Sequence, residues 1–143
     1  MRLHLATVAL IFAAPIDAQP AAPYFDAYRN TPLSAGDWTY VATASGSEAR
    51  FGSSFVIRCD RPTRLVLLQR LIAPRSTANT LVIATDSAIR SFATSTVQLS
   101  ARDSLLDAVA FSRGRIVVSG GGGVALILPS WPEAARSIED CRN

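Results

Sequence analysis

From residue 38 onward, apolar positions recur every second residue. Trp38, Tyr40 and Ala42 alternate with Thr39, Val41 and Thr43, the period that sends successive side chains to opposite faces of a strand. Ser45, Gly46 and Ser47 supply a turn, so the pattern predicts a first hairpin. In the following run Phe51, Ser53, Phe55, Ile57 and Cys59 share one face, and Arg50, Gly52, Ser54, Val56 and Arg58 share the other. This predicts a single strand with Cys59 turned inward. Asp60, Arg61 and Pro62 are turn chemistry. Residues 64–70 predict another strand, with Leu65 and Leu67 opposed to Val66 and Leu68, as in a strand covered on both faces. Residues 74–79 read as a loop.

Residues 80–85, 88–94 and 95–100 continue the strand pattern, and then the period lengthens. Asp103 is placed to cap a helix in which Leu105, Leu106, Val109 and Ala110 form an apolar stripe, with Gly114 as its C-prime stop. Residues 115–118 and 124–128 predict a hairpin around Gly120, Gly121, Gly122 and Gly123. A phosphate cradle does not fit that run, because it leads into a strand and is followed by no lysine. The last segment reads as a closing helix. Ser130 and Glu133 have capping-box spacing, Pro132 falls in the first turn, and Trp131, Ala134 or Ala135, Ile138 and Cys141 recur on one side. The predicted class is α+β: a largely antiparallel, twisted sheet or small β-sandwich of about seven or eight strands with two short helices, the second C-terminal.

Cys59 and Cys141 are the two cysteines of the chain. In an exported protein such a pair is expected to be bridged, and closing a loop of that length restricts the unfolded chain by roughly 4–5 kcal/mol on the chain-entropy model. The alternative is two buried, unconnected thiols. Export is itself an expectation from the first residues. Arg2 and His4 form a cationic start, residues 5–14 an apolar core, and Ile16, Asp17 and Ala18 a cleavage site. That core is far shorter than the roughly 20 residues needed to span a bilayer. The organisation expected is a signal at 1–18, an extended N-terminal arm or short turn of helix at 19–36, and one α+β domain at 37–143. In the arm, Tyr24, Phe25 and Tyr28 are suited to pack back onto that domain.

Composition narrows the chemistry. Removal of the signal takes away His4, the only histidine, and all fourteen basic residues are arginine. A Ser-His-Asp or Cys-His mechanism and a lysine Schiff base then have no donors, and two cysteines without histidine fall short of a structural zinc site. No loop has the carboxylate spacing of an EF-hand. We therefore expect no metal, no cofactor and no catalytic residues. The net charge of +3 is spread without a basic cluster, which argues against nucleic acid. A paired-carboxylate hydrolase is the enzymatic alternative, with Glu48, Asp60, Asp86, Glu133 and Glu139 as candidates. Arg58, Arg61 and Arg64 around the Cys59 turn can bind a carboxylate or phosphate through guanidinium forks, or can simply solvate the turn and pair with its acids.

Several stretches carry a family resemblance: the Trp38 strand start, the step Arg58, Cys59, Asp60, the run from Ala101 to Arg115, and the ending from Leu128 through Glu133 to Cys141 and Arg142. Together they resemble small, uncharacterised exported proteins of alphaproteobacteria, of the sphingomonad type. More distantly, late strands followed by a terminal helix resemble the invasion-associated protein B type of periplasmic protein. The resemblance implies a periplasmic or secreted location and this kind of fold, and brings no active-site residues. The expected function is non-catalytic binding of a protein partner or cell-envelope component, with no transmembrane segment after signal removal. The alternatives are the carboxylate-dependent envelope hydrolase and an inhibitor of an envelope-directed hydrolase.

Overall fold

Alternation and turn chemistry from Trp38 onward generate two antiparallel sheets. The computed structural model describes residues 21–71 and 79–143, and the expected signal at 1–18 and nearly all of the loop at 74–79 lie outside them. In chain order the elements are α1 (Ala21–Asp26), β1 (Trp38–Thr43), β2 (Gly46–Phe51), β3 (Phe55–Asp60), β4 (Leu65–Arg70), β5 (Leu81–Ala84), β6 (Ile89–Phe92), β7 (Thr96–Ser100), α2 (Ser104–Ala110), β8 (Arg115–Ser119), β9 (Leu126–Pro129) and α3 (Pro132–Glu139). Sheet A has the order β1-β2-β3-β4-β7 and sheet B the order β6-β5-β8-β9, every pairing antiparallel. The α+β class stands. Among the described residues there are nine strands and three helices, against the expected seven or eight and two.

Some boundaries differ from expectation for physical reasons. The run from Arg50 to Cys59 is two strands: Gly52 takes φ +49° and the Ser54 amide donates to the Phe51 carbonyl, reversing the chain. Phe51 pairs with Phe55, so both face inward and the period-two pattern passes unbroken through the turn. Gly46 lies inside β2 rather than in the turn. A Cβ there would sit 2.1 Å from the Cys59 carbonyl oxygen, so close strand approach requires the glycine. Helix α2 starts as expected, with the Leu105 amide donating to Asp103 Oδ1 at 2.8 Å, but its C-cap is Phe111 and Gly114 falls beyond it, before β8. Helix α3 has Trp131 as N-cap without a side-chain bond. The Ser130 hydroxyl accepts from the Gly114 amide at 3.0 Å instead, so the expected capping box does not form.

The core lies between the inner faces of the sheets. Trp38, Phe51, Phe55, Ile57 and Leu68 of sheet A meet Leu81, Ile83, Ile116 and Leu128 of sheet B, with Leu105, Leu106 and Val109 of α2 and Ala134 and Ile138 of α3 closing the side. Fully burying one such large apolar side chain contributes about 1.5–3 kcal/mol. Phe51 and Phe55 pack edge-on to Trp38, whose indole N–H donates to the Pro129 carbonyl at 2.9 Å, tying the first strand to the last. Buried Cys59 and Cys141 are joined by a disulfide with a Cα separation of 5.3 Å, fastening β3 to the residues after α3.

The arm forms an outer layer. Tyr24, Phe25 and Tyr28 pack against Ala84, Val117 and Ile127 on the outer face of sheet B. Arg115 donates to the carbonyls of Tyr28 and Thr31 at 3.0 and 2.8 Å, and the Ser34 amide and hydroxyl engage the Ile127 main chain. The glycine hairpin between β8 and β9 is fixed from beneath. Arg70, 7% exposed, reaches from β4 to donate to the carbonyls of Val118 and Val124 at 2.7 and 2.6 Å. Among the described residues no helix is long and apolar enough to cross a membrane.

Candidate ligand-binding groove

Of the carboxylates proposed for acid–base chemistry, Glu48 lies on β2, Asp60 at the end of β3, Asp86 after β5, and Glu133 and Glu139 at the two ends of α3. Glu48, on the outer face of sheet A, is gripped by Arg50 and Arg58 at 2.8 and 2.6 Å. Partial burial pushes its pKa up, but the hydrogen bonds and charges of the two arginines outweigh this and hold it below the ordinary range. Asp60 accepts from the Thr63 hydroxyl, Glu139 pairs with Arg142 at 2.8 Å, and Asp86 is exposed after β5. Glu133, in the first turn of α3, has a buried Oε2 with no hydrogen-bond partner among the described residues. No group of three His, Cys, Asp or Glu side chains among the described residues is arranged to hold a metal.

Arg58, Arg61 and Arg64 surround one turn but are directed to different places. Arg58 is taken by Glu48 on the outer face. The charge of Arg61 acts on Asp140 beyond α3, and Arg64, at φ +52°, donates to the Arg142 carbonyl at 3.4 Å.

A concave surface lies along α2. Burial of Leu105, Leu106, Ala108 and Val109 leaves Ser104, Asp107 and Phe111, spaced i, i+3, i+7, as a stripe on the opposite side. Beside it is an open depression of about 420 Å³ lined by Ser87, Ala88, Ser104, Asp107, Ala108 and Phe111. A second, of about 260 Å³, is lined by Arg102, Asp107 and Arg142. Asp107 lines both, so the aromatic and hydroxyl-bearing depression adjoins the cationic one along α2.

Arg142 is well fixed. It donates to Asp107 at 2.6 Å, to Glu139 at 2.8 Å and to the Ala101 carbonyl at 2.8 Å, directly after the disulfide-bonded Cys141. Arg102 is exposed and forms no salt bridge with a described residue. Phe111 is 71% exposed, an unusual solvation for a phenyl ring at a helix cap. Such a surface offers a flat apolar face, two serine hydroxyls, a carboxylate acceptor and two guanidinium groups. The local signal in the sequence was the Ser104, Asp107, Phe111 spacing, overshadowed by the apolar stripe of the same helix. The approach of Arg142, 35 residues away, had no local signal.

Compared with family models, curated proteins and solved structures, the chain matches none of them.

Proposed function

We propose that this chain is an exported, non-catalytic binding protein of the cell envelope, and that the α2 groove takes an acidic saccharide, a sugar ring bearing a carboxylate or phosphate. The carrying observation is the sharing of Asp107 between the Phe111 depression and the Arg102 and Arg142 depression. Stacking on Phe111 suits the apolar face of a pyranose, the hydroxyls of Ser87 and Ser104 and the Asp107 carboxylate suit its OH groups, and Arg102 supplies an uncommitted guanidinium for the anion. Periplasmic or secreted location is supported by the buried disulfide, the signal-like first 18 residues and the resemblance to exported alphaproteobacterial proteins. A non-catalytic role is supported by the arginine partners that engage Glu48 and Glu139.

The test is a titration of the purified, oxidised protein with glucuronic-acid oligosaccharides and their neutral counterparts, followed by amide chemical shifts and calorimetry. Binding should perturb residues 102–111, favour the acidic sugars and weaken with salt. Phe111→Ala and Arg102→Ala should each weaken it about tenfold, ~1.4 kcal/mol. Equal response to neutral sugars, or affinity indifferent to both substitutions, would remove the reading.

A further inference from the structure

We infer that β1 is the contact strand of a two-fold dimer, pairing antiparallel with β1 of a second copy of this chain to make one continuous sheet. This rests on different residues from the saccharide reading and is independent of it. Strand β1 is an edge of sheet A, and no described residue pairs with its outer side. Thr39, Val41, Ala42 and Thr43 are exposed, Val41 by 59%. Edge strands are normally guarded by lysine, proline, a bulge or a covering segment. Trp38–Thr43 contains no charge and no proline, and its pairing with β2 runs without a bulge. On the β9 edge of sheet B, by contrast, Ser34 occupies the outer side at Ile127.

The phase of the main chain is known. The Gly52 amide donates to the Asp37 carbonyl, so by antiparallel alternation Thr39, Val41 and Thr43 direct their main-chain groups to β2. Trp38, Tyr40 and Ala42 direct theirs outward. A two-fold axis at Tyr40 then pairs Tyr40 with Tyr40 of the second copy and Trp38 with Ala42. On the outer face it sets Thr39 against Val41, a favourable β-branched pair.

Charge selects a second copy as the occupant. Arg136 lies over the Tyr40 ring at 4.1 Å, and Asp140, one turn on, accepts from the Tyr40 hydroxyl at 2.5 Å. Arg136 of α3 and Asp140 just after it therefore stand by Tyr40, beside the proposed axis. The two-fold turns the second α3 antiparallel to the first and brings each Arg136 toward Asp140 of the other copy. The surface is self-complementary.

Sedimentation equilibrium of the purified, oxidised protein, over about 1 μM to 1 mM, should show a reversible monomer–dimer equilibrium. Hydrogen exchange should show the Tyr40 and Ala42 amides protected at high concentration and open at low. Ala42→Pro removes only an outward donor and should give a monomer. Arg136→Asp should raise the dimer Kd at least tenfold, and adding Asp140→Arg to it should restore association even if the proline variant fails to fold. A monomer throughout the range, a dimer that survives Ala42→Pro, or outward amides whose exchange ignores concentration would each overturn the proposal.

Discussion

Sheet B and sheet A solve the burial problem differently. Sheet B is covered on both faces: the shared core lies inside, and Tyr24, Phe25 and Tyr28 lie outside against Ala84, Val117 and Ile127. Its β9 edge is occupied by Ser34. Sheet A leaves Thr39, Val41, Arg58 and Gln98 exposed on its outer face and leaves the outer edge of β1 without a strand partner among the described residues. It also carries the covalent strap, from β3 to Cys141 just after α3. A sheet that keeps a face and an edge open gains less from burial, and a crosslink that restricts the unfolded chain supplies stability without covering that surface.

Breaking the strap should therefore have the largest effect. Replacing Cys59 and Cys141 together by alanine is expected to cost about 2–5 kcal/mol in denaturant unfolding. Hydrogen exchange should accelerate in α3 and β3, and, because Arg142 follows Cys141 and holds Asp107, along α2 as well. Strands β5, β8 and β9 should change little below the global transition. Uniform acceleration across both sheets, or unchanged stability, would contradict the division of labour.

The counterpart in sheet B is Arg115, whose guanidinium holds the carbonyls of Tyr28 and Thr31. Arg115→Ala should cost about 1–2 kcal/mol, less than the crosslink because water can replace part of these bonds. Limited proteolysis should then cut first within residues 21–36, with sheet A intact. Cleavage elsewhere, or an arm as resistant as before, would show that aromatic packing alone keeps it down.

The parts legible in the sequence were those governed by local periodicity. Alternation placed Cys59 on the inner face, where it meets Cys141 beneath the closing helix. It could not reveal the turn at Gly52, since Phe51 and Phe55 keep the same parity whether the chain continues or reverses. The Ser130 capping box had the right spacing and lost to tertiary competition, because Gly114 takes the hydroxyl. Arg70 read as a charge at a strand end. Its burial depends on two carbonyls about 50 residues away, supplied by β8 and the segment before β9. The groove was half legible: Ser104, Asp107 and Phe111 share a helix side, whereas Arg142 arrives through tertiary packing of α3 on α2 and the crosslink at Cys141. The Arg58, Arg61 and Arg64 group was visible as sequence neighbours, but a turn splays its members.

Acid should discriminate between the sheets most gently. Partial burial raises the pKa values of Glu48 and Asp140, but arginine contacts outweigh it at Glu48, and the Tyr40 hydroxyl with the charges of Arg61 and Arg136 outweighs it at Asp140, so both lie below the usual carboxylate range. Asp103 is likewise held low, its partial burial opposed by Arg90 of β6 and the Leu105 amide. A carboxylate with a lowered folded-state pKa contributes stability that is fully present above its unfolded value, about 4, and lost as pH falls through the folded value. The melting temperature should accordingly be flat from neutral pH to about 5 and decline below about 4. Glu48→Gln and Asp140→Asn should lower stability at neutral pH slightly and make the acid decline shallower, chiefly in exchange from β1, β2 and α3. Asp103→Asn should do the same for α2 and β6. These groups are half-buried at the surface with partly exposed partners, so each effect should be small and weaken with added salt. If the acid limb keeps its slope in all three variants, these ion pairs are not what ties folding to pH.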